Sequence, residues 1–209
     1  MILLFLICKG EKLMKYKNIV FDFGNVIGRF DGRYILEHFC SSEEDYRILS
    51  GAIFPRWPDL DKGTIDYDSN IETVAFEVPD RLKENVRTFF KDWPKYVDLL
   101  PQTTAFIKEL REKDANIYLL SNASTYFAEW FSDREPIKDF DGIVFSAPLK
   151  MAKPEPEIYN YLFRQFHLDP EDCFFIDDLA ANILTGKSLG MDGIVFTGDI
   201  EEVKKKIDF

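Results

Sequence analysis

The chain has 209 residues, 26 Lys+Arg against 37 Asp+Glu for a formal net charge of −11, and 46% hydrophobic and 30% charged residues. This is the composition of a globular chain long enough to bury a full core, and its acidity excludes a general nucleic-acid binder or a protein held on anionic lipid, both of which need a basic patch. Three cysteines (Cys8, Cys40, Cys173) at no metal-ligand spacing and two histidines exclude a disulfide scaffold, a zinc ribbon and a multi-histidine metal site, and they fit a reducing cytosol.

Ile2–Cys8 is an apolar run far shorter than the roughly 20 residues that span a bilayer. Lysines follow it instead of preceding it, unlike a signal peptide. Met14-Lys15-Tyr16-Lys17 reads as a natural start before a first strand, so residues 1–13 are expected to be a mis-assigned start or a disposable extension. Asn18–Phe23 is a β-branched and aromatic run of the buried-strand type, and Asn116–Leu120, Gly142–Phe145, Cys173–Ile176 and Gly193–Phe196 repeat it. Helical patterns at Thr103–Lys113, Glu155–Phe166, Leu179–Leu189 and Ile200–Ile207 alternate with them. Continuous apolar strands alternating with helices predict an α/β, three-layer, Rossmann-like core with a parallel sheet covered on both faces. Residues 31–96 interrupt the pattern. Helical patches at Arg33–Cys40, Glu43–Leu49, Tyr67–Phe76 and Arg81–Phe90, punctuated by Pro55, Pro58, Pro79, Pro94 and Gly63, predict a small α-helical cap inserted after the first strand, with 14–30 and 97–209 forming the core.

In open parallel sheets the functional groups gather at the carboxyl ends of the strands. There stand Asp22-Phe23-Gly24-Asn25-Val26, Ser121-Asn122 and Asp177-Asp178, with Lys153-Pro154-Glu155-Pro156 before a helix. Each alone reads as a cap, a turn or a surface corner; the ordered set at one sheet edge reads as a site. If the first and fourth strands are neighbours, about 4.8 Å apart, Asp22 converges with Asp177 and Asp178. Carboxylates so close repel and raise one another's pKa. A hard divalent cation relieves this, and Mg²⁺ bound through one or two carboxylates also takes substrate phosphate oxygen. Lys153 supplies a compact positive charge, Ser121 and Asn122 supply donors, and Gly24 and Asn25 let backbone N–H groups approach an anion. An ionised Asp22 can attack as a nucleophile.

Phe21-Asp22-Phe23-Gly24-Asn25-Val26, Leu120-Ser121-Asn122, Lys153-Pro154-Glu155-Pro156-Glu157-Ile158-Tyr159 and Phe175-Ile176-Asp177-Asp178-x-x-x-Asn182 resemble the four motifs of the haloacid dehalogenase superfamily, over nearly the whole chain from Lys15. The resemblance implies a Rossmann-like core, a helical cap between the first two motifs, and an aspartyl-phosphate. It implies Asp22 as nucleophile and Mg²⁺ ligand, the Gly24 carbonyl and Asp178 as further ligands, and Asp177 acting through water. Ser121, Asn122 and Lys153 would hold the phosphoryl group, and Asn182 would steady the Asp-Asp loop.

One position departs from the pattern. Most phosphatases of the superfamily carry a second Asp two residues after the nucleophile, as general acid and base; here it is Gly24. A positioned acid/base is worth roughly 10²–10⁴-fold. Another group takes over, with Asp31 at the entrance to the cap as candidate; or the reaction needs no proton, as in a metal-independent 2-haloacid dehalogenase; or the protein is a non-catalytic binding or regulatory relative. The first is favoured. The Asp-Phe-Gly-Asn-Val-Ile wording resembles a branch that includes α-D-glucose-1-phosphate phosphatase, which also has Gly there, and the Asp177-Asp178 pair has no use in a metal-free dehalogenase. The expectation is a cytoplasmic, Mg²⁺-dependent phosphomonoesterase acting on a small phosphate ester, a sugar phosphate, as a monomer or weak homodimer, without nucleic-acid or membrane partners.

Overall fold

The computed structural model describes residues 14–209, so the expectation for residues 1–13 lies outside the described residues. Every residue of β1 (Asn18–Phe21) is buried, as a central strand of a doubly covered sheet requires. The strand ends two residues earlier than its apolar run, because the chain turns at once: Phe23 N–H donates to the Asp22 carboxylate, and the N–H groups of Ile27 and Gly28 both return to the Phe23 carbonyl. β2 (Gly28–Arg29) follows, then α1 (Gly32–Glu37), α2 (Glu43–Ile53), α3 (Trp57–Lys62), α4 (Tyr67–Glu77) and α5 (Lys83–Asp92). Local chemistry sets these helices. Ser42 caps α2 ahead of Glu43, Glu44 and Asp45, and Asp66 caps α4. α3 has Pro58 in its first turn and stops at Gly63 in the left-handed region, φ 70°.

β3 (Asp98–Leu99) pairs antiparallel with β2, Gly28 opposite Leu99 and Arg29 opposite Asp98, so both ends of the helical insert pass through one short ribbon. Then come α6 (Pro101–Glu112), β4 (Asn116–Ser121), α7 (Thr125–Phe131), β5 (Gly142–Phe145), α8 (Ser146–Leu149), α9 (Pro156–Gln165), β6 (Cys173–Asp177), α10 (Ala180–Ser188), β7 (Asp192–Val195) and α11 (Ile200–Lys206). The sheet order is β5-β4-β1-β6-β7, all parallel. β1 is flanked by β4 and β6, which brings the ends of the first, second and fourth expected strands side by side.

Alternate residues feed the two faces. Ile19, Phe21, Ile117, Leu119, Phe174 and Ile176 join a core that continues through Phe23, Val26 and Trp93 into the insert. Val20, Tyr118, Leu120 and Phe175 pack with Ile158, Tyr159 and Leu162 of α9 on the other face. None of the helices among the described residues is long and apolar enough to cross a membrane.

Candidate active site

Asp22 leaves β1 with its N–H donating to the Ile176 carbonyl of β6, so the ladder aims this residue at the sheet rim. Lys153, buried to 5% exposure, brings its Nζ 2.8 Å from Asp22 Oδ1 and 2.7 Å from Asp177 Oδ2. Asn122 fixes that lysine through its backbone: its Oδ1 accepts from the Lys153 N–H at 2.8 Å and its Nδ2 donates to the Lys153 carbonyl at 2.9 Å. The Ser121 hydroxyl donates to the Asp22 carboxylate. Asn182 Nδ2 donates to both Asp177 oxygens, at 2.9 and 3.0 Å, while the Leu179 N–H adds a 2.8 Å bond to Oδ1. Tyr159 in turn donates to the Asn182 carbonyl. Asn25, in the left-handed region at φ 54°, donates from Nδ2 to Asp178 Oδ2 at 3.0 Å.

One oxygen from each of Asp22, Asp177 and Asp178 lies within 4.8 Å of the others. Burial pushes the Asp22 carboxyl up to about 6, and Asp177 adds repulsion that Lys153 and Ser121 oppose. Burial alone would pull the Lys153 ammonium down, but the carboxylates on either side outweigh it and hold the pKa above its ordinary value. Three carboxylates facing one ammonium leave two negative charges in excess, and every donor is a hard oxygen. That set fits a divalent cation such as Mg²⁺. Both Asp177 oxygens are already engaged by Lys153, Asn182 and Leu179, whereas Asp22 and Asp178 also line the cavity. The donor set therefore favours Asp22 and Asp178 as direct ligands, with Asp177 behind them.

These groups open into a cavity of about 320 Å³ that also takes in Gly24, Asn25, Ser121, Asn122, Lys153 and Asn182. The remaining wall is largely aromatic. Phe30 lies against Trp57 and Trp93, with centroids 5.6 and 5.9 Å apart, Trp57 meets Trp93 at 5.1 Å, and Trp93 stacks on Phe127 at 5.1 Å. Of the expected site residues, Asp31 alone has a different job. It does not line this cavity; its carboxylate caps α1 through the Tyr34 N–H and pairs with Arg29 at 2.9 Å, which together hold its pKa below the ordinary range.

A residue the sequence reading passed over takes a place in the wall: Asp61, on α3. Its carboxylate accepts the Ser124 N–H, and burial, with repulsion from Asp22, pushes it up to about 7. Its signal was the Pro-started, Gly-ended turn Trp57–Gly63, which marks a helix end but nothing of its surroundings.

A sequence model of the haloacid dehalogenase-like hydrolases matches residues 16–190. D-ribitol-5-phosphate phosphatase of Bacteroides thetaiotaomicron is 29% identical over 187 residues, covering 84% of this chain and 89% of that protein. A sesquiterpene phosphatase of Aspergillus oryzae is 23% identical over 186 residues, covering 88% and 92%. The crystal structure of a family enzyme from Bacteroides thetaiotaomicron in complex with magnesium and inorganic phosphate superposes with a TM-score of 0.68 at 25% identity, covering 90% of this chain and 98% of that one. With more than half its length matched, and the acidic cluster, serine and lysine at one sheet rim, this chain belongs to the haloacid dehalogenase-like hydrolase family.

Proposed function

We propose that the protein is a Mg²⁺-dependent phosphomonoesterase acting on a small phosphorylated metabolite, a sugar or polyol phosphate. The observation that carries this reading is the meeting of Asp22, Ser121, Lys153 and Asp178 in one cavity with Asp177 immediately behind. Two relatives that the chain matches along most of their length are phosphatases, one of them for ribitol 5-phosphate, and a structural neighbour binds magnesium and phosphate together.

In this mechanism Asp22 attacks phosphorus in line, the ester oxygen departs, and water then hydrolyses the aspartyl-phosphate. Lys153, Ser121 and the Asn122 amide hold the phosphoryl oxygens, and the Gly24–Asn25 turn offers backbone N–H groups. Bound beside Asp22 and Asp178, Mg²⁺ supplies charge stabilisation at the phosphoryl group. The insert, residues 31–96, acts as a cap that excludes water and presents Phe30, Trp57 and Trp93 to the leaving group; aromatic faces suit the C–H face of a sugar or polyol. Its working site is the cytoplasm.

The test is phosphate release over sugar phosphates, polyol phosphates, terpenyl phosphates and nucleotides, with Mg²⁺ or EDTA, for wild type and Asp22→Asn. Wild type is expected to turn over in Mg²⁺ only, and Asp22→Asn to lose several orders of magnitude. Equal activity in both proteins removes Asp22 as nucleophile. Halide release from 2-haloacids in EDTA would show a dehalogenase, and Mg²⁺ and phosphate binding without turnover a non-catalytic relative.

A further inference from the structure

Gly24 leaves the departing oxygen without the usual proton donor, and Asp31 stands outside the cavity. Of the titratable groups that line the cavity among the described residues, Asp22 and Asp178 belong to the acidic cluster and Lys153 is held between Asp22 and Asp177. Asp61 is left, and it comes from the insert's side, facing the space a leaving group would fill.

We propose that Asp61 is the general acid and base of the reaction. The inference rests on the phosphomonoesterase reading. In the first step Asp22 bonds to phosphorus, the bond from phosphorus to the ester oxygen breaks, and the Asp61 carboxyl gives its proton to that oxygen, releasing an alcohol and leaving a carboxylate. In the second, water bonds to phosphorus, Asp61 takes one of its protons, and the bond from phosphorus to Asp22 breaks, freeing phosphate and restoring both groups.

The position is built. The Ser124 N–H holds the carboxylate, the Asp61 carbonyl accepts the Ser146 hydroxyl, and Lys62 next to it pairs with Glu155. Gly63 closes the helix so tightly on α8 that a Cβ there would lie 2.2 Å from the Ala147 carbonyl oxygen. A backbone seated on the core through Asp61 and its two following residues, with one N–H on the carboxylate, aims the group reproducibly, as proton transfer requires. Asp61 also borders a second cavity lined by Phe30, Trp57, Pro58, Asn122 and Lys153, so it stands where a leaving group passes from the phosphoryl site towards the insert. The titratable groups facing it are Asp22 and Lys153 across the cavity and the Tyr67 phenol, itself engaged by the Phe90 carbonyl and the Trp93 indole; Asp59 and Lys62 share its helix. Burial among them lets the carboxyl keep a proton near neutrality and release it within the cycle.

The experiment compares wild type, Asp61→Asn and Asp61→Glu on a series of phosphate monoesters running from aryl esters, whose phenolate leaves unprotonated, to alkyl and polyol esters, whose alkoxide cannot. For Asp61→Asn, alkyl esters are expected to fall by roughly 10²–10⁴-fold. Aryl esters should still give a fast first turnover, a burst of one phenolate per chain, followed by a slow phase in which intact mass shows one phosphoryl group on the chain, absent in the Asp22→Asn background. Asp61→Glu should recover part of the alkyl activity. A uniform loss across the series without a burst, or no loss, overturns the role of Asp61 while leaving the phosphatase standing. Absence of phosphate release by wild type from every ester overturns the phosphatase reading and this inference with it.

Discussion

Asp61 shows at the scale of one residue how a site draws on the stability of its fold. Its carboxyl sits at about 7 when folded against 3.8 when free in solution, because burial disfavours the charged form. Between those values the folded chain holds a proton that the unfolded chain has released, so this group's contribution falls as pH rises from about 4 to about 7. The deficit at pH 8 is on the order of 4 kcal/mol. Asp61→Asn keeps the shape and an acceptor for the Ser124 N–H but carries no charge. It is therefore expected to melt higher than wild type at pH 8 and to lose that advantage at pH 4. Thermal melts without Mg²⁺ at both values check this, and a gap that ignores pH refutes it. Legibility at this scale divides the same way. Asp22, Ser121, Asp177 and Asp178 were readable because each ends or follows an apolar strand run, and Lys153 because it precedes a Pro-started helix. Asp61 was not, since its neighbours along the chain are a short Pro-containing turn and the groups that define its chemistry, Ser124, Ser146, Asp22 and Lys153, are distant in sequence. Asp31 drew attention by standing at a boundary, and a boundary is where an N-cap is also found.

At the scale of elements, α3 does more for the site than its six residues suggest. It carries both Trp57 and Asp61 into the wall, and its end is seated on α8 at Gly63. Gly63→Ala would meet a positive φ and the Ala147 carbonyl at once. The backbone alone costs roughly 1–3 kcal/mol, and relieving the clash must move α3 away from the core. The expected outcome is a lower urea midpoint together with a fall in kcat on alkyl esters; a variant with wild-type values in both assays would show that α3 is seated otherwise. The long elements were legible, since strands with both faces buried and helices with periodic apolar stripes leave strong patterns. β2 and β3 were not. Two-residue strands have no period, and their pairing joins positions on either side of the whole insert.

For the whole molecule, the order β5-β4-β1-β6-β7 decides everything at the rim, because it seats β1 between the two strands whose ends carry Ser121 and Asp177. The fold class followed from the alternation of strands and helices, whereas the depth and aromatic lining of the cavity depended on how the insert folds back, which no periodicity encodes. The rim's excess negative charge makes the fold sensitive to cations. An ion that binds only the folded chain, present at a hundredfold excess over its dissociation constant, adds about 2.7 kcal/mol, or roughly 5–10 °C in Tm for a chain of this size. Mg²⁺ should raise the melting temperature by that order relative to EDTA, and Asp178→Asn should shrink the shift; coincident melts with and without Mg²⁺ would remove the metal site.

The chain has three tryptophans, and two of them, Trp57 and Trp93, meet edge to face with centroids 5.1 Å apart in the cavity wall. The third, Trp130, lies elsewhere under the guanidinium of Arg134. Two of the three indoles therefore lie where a ligand would sit. A ligand seated there is expected to change the intrinsic fluorescence, with no label attached and no turnover required, so that inactive variants can be titrated as well as active ones.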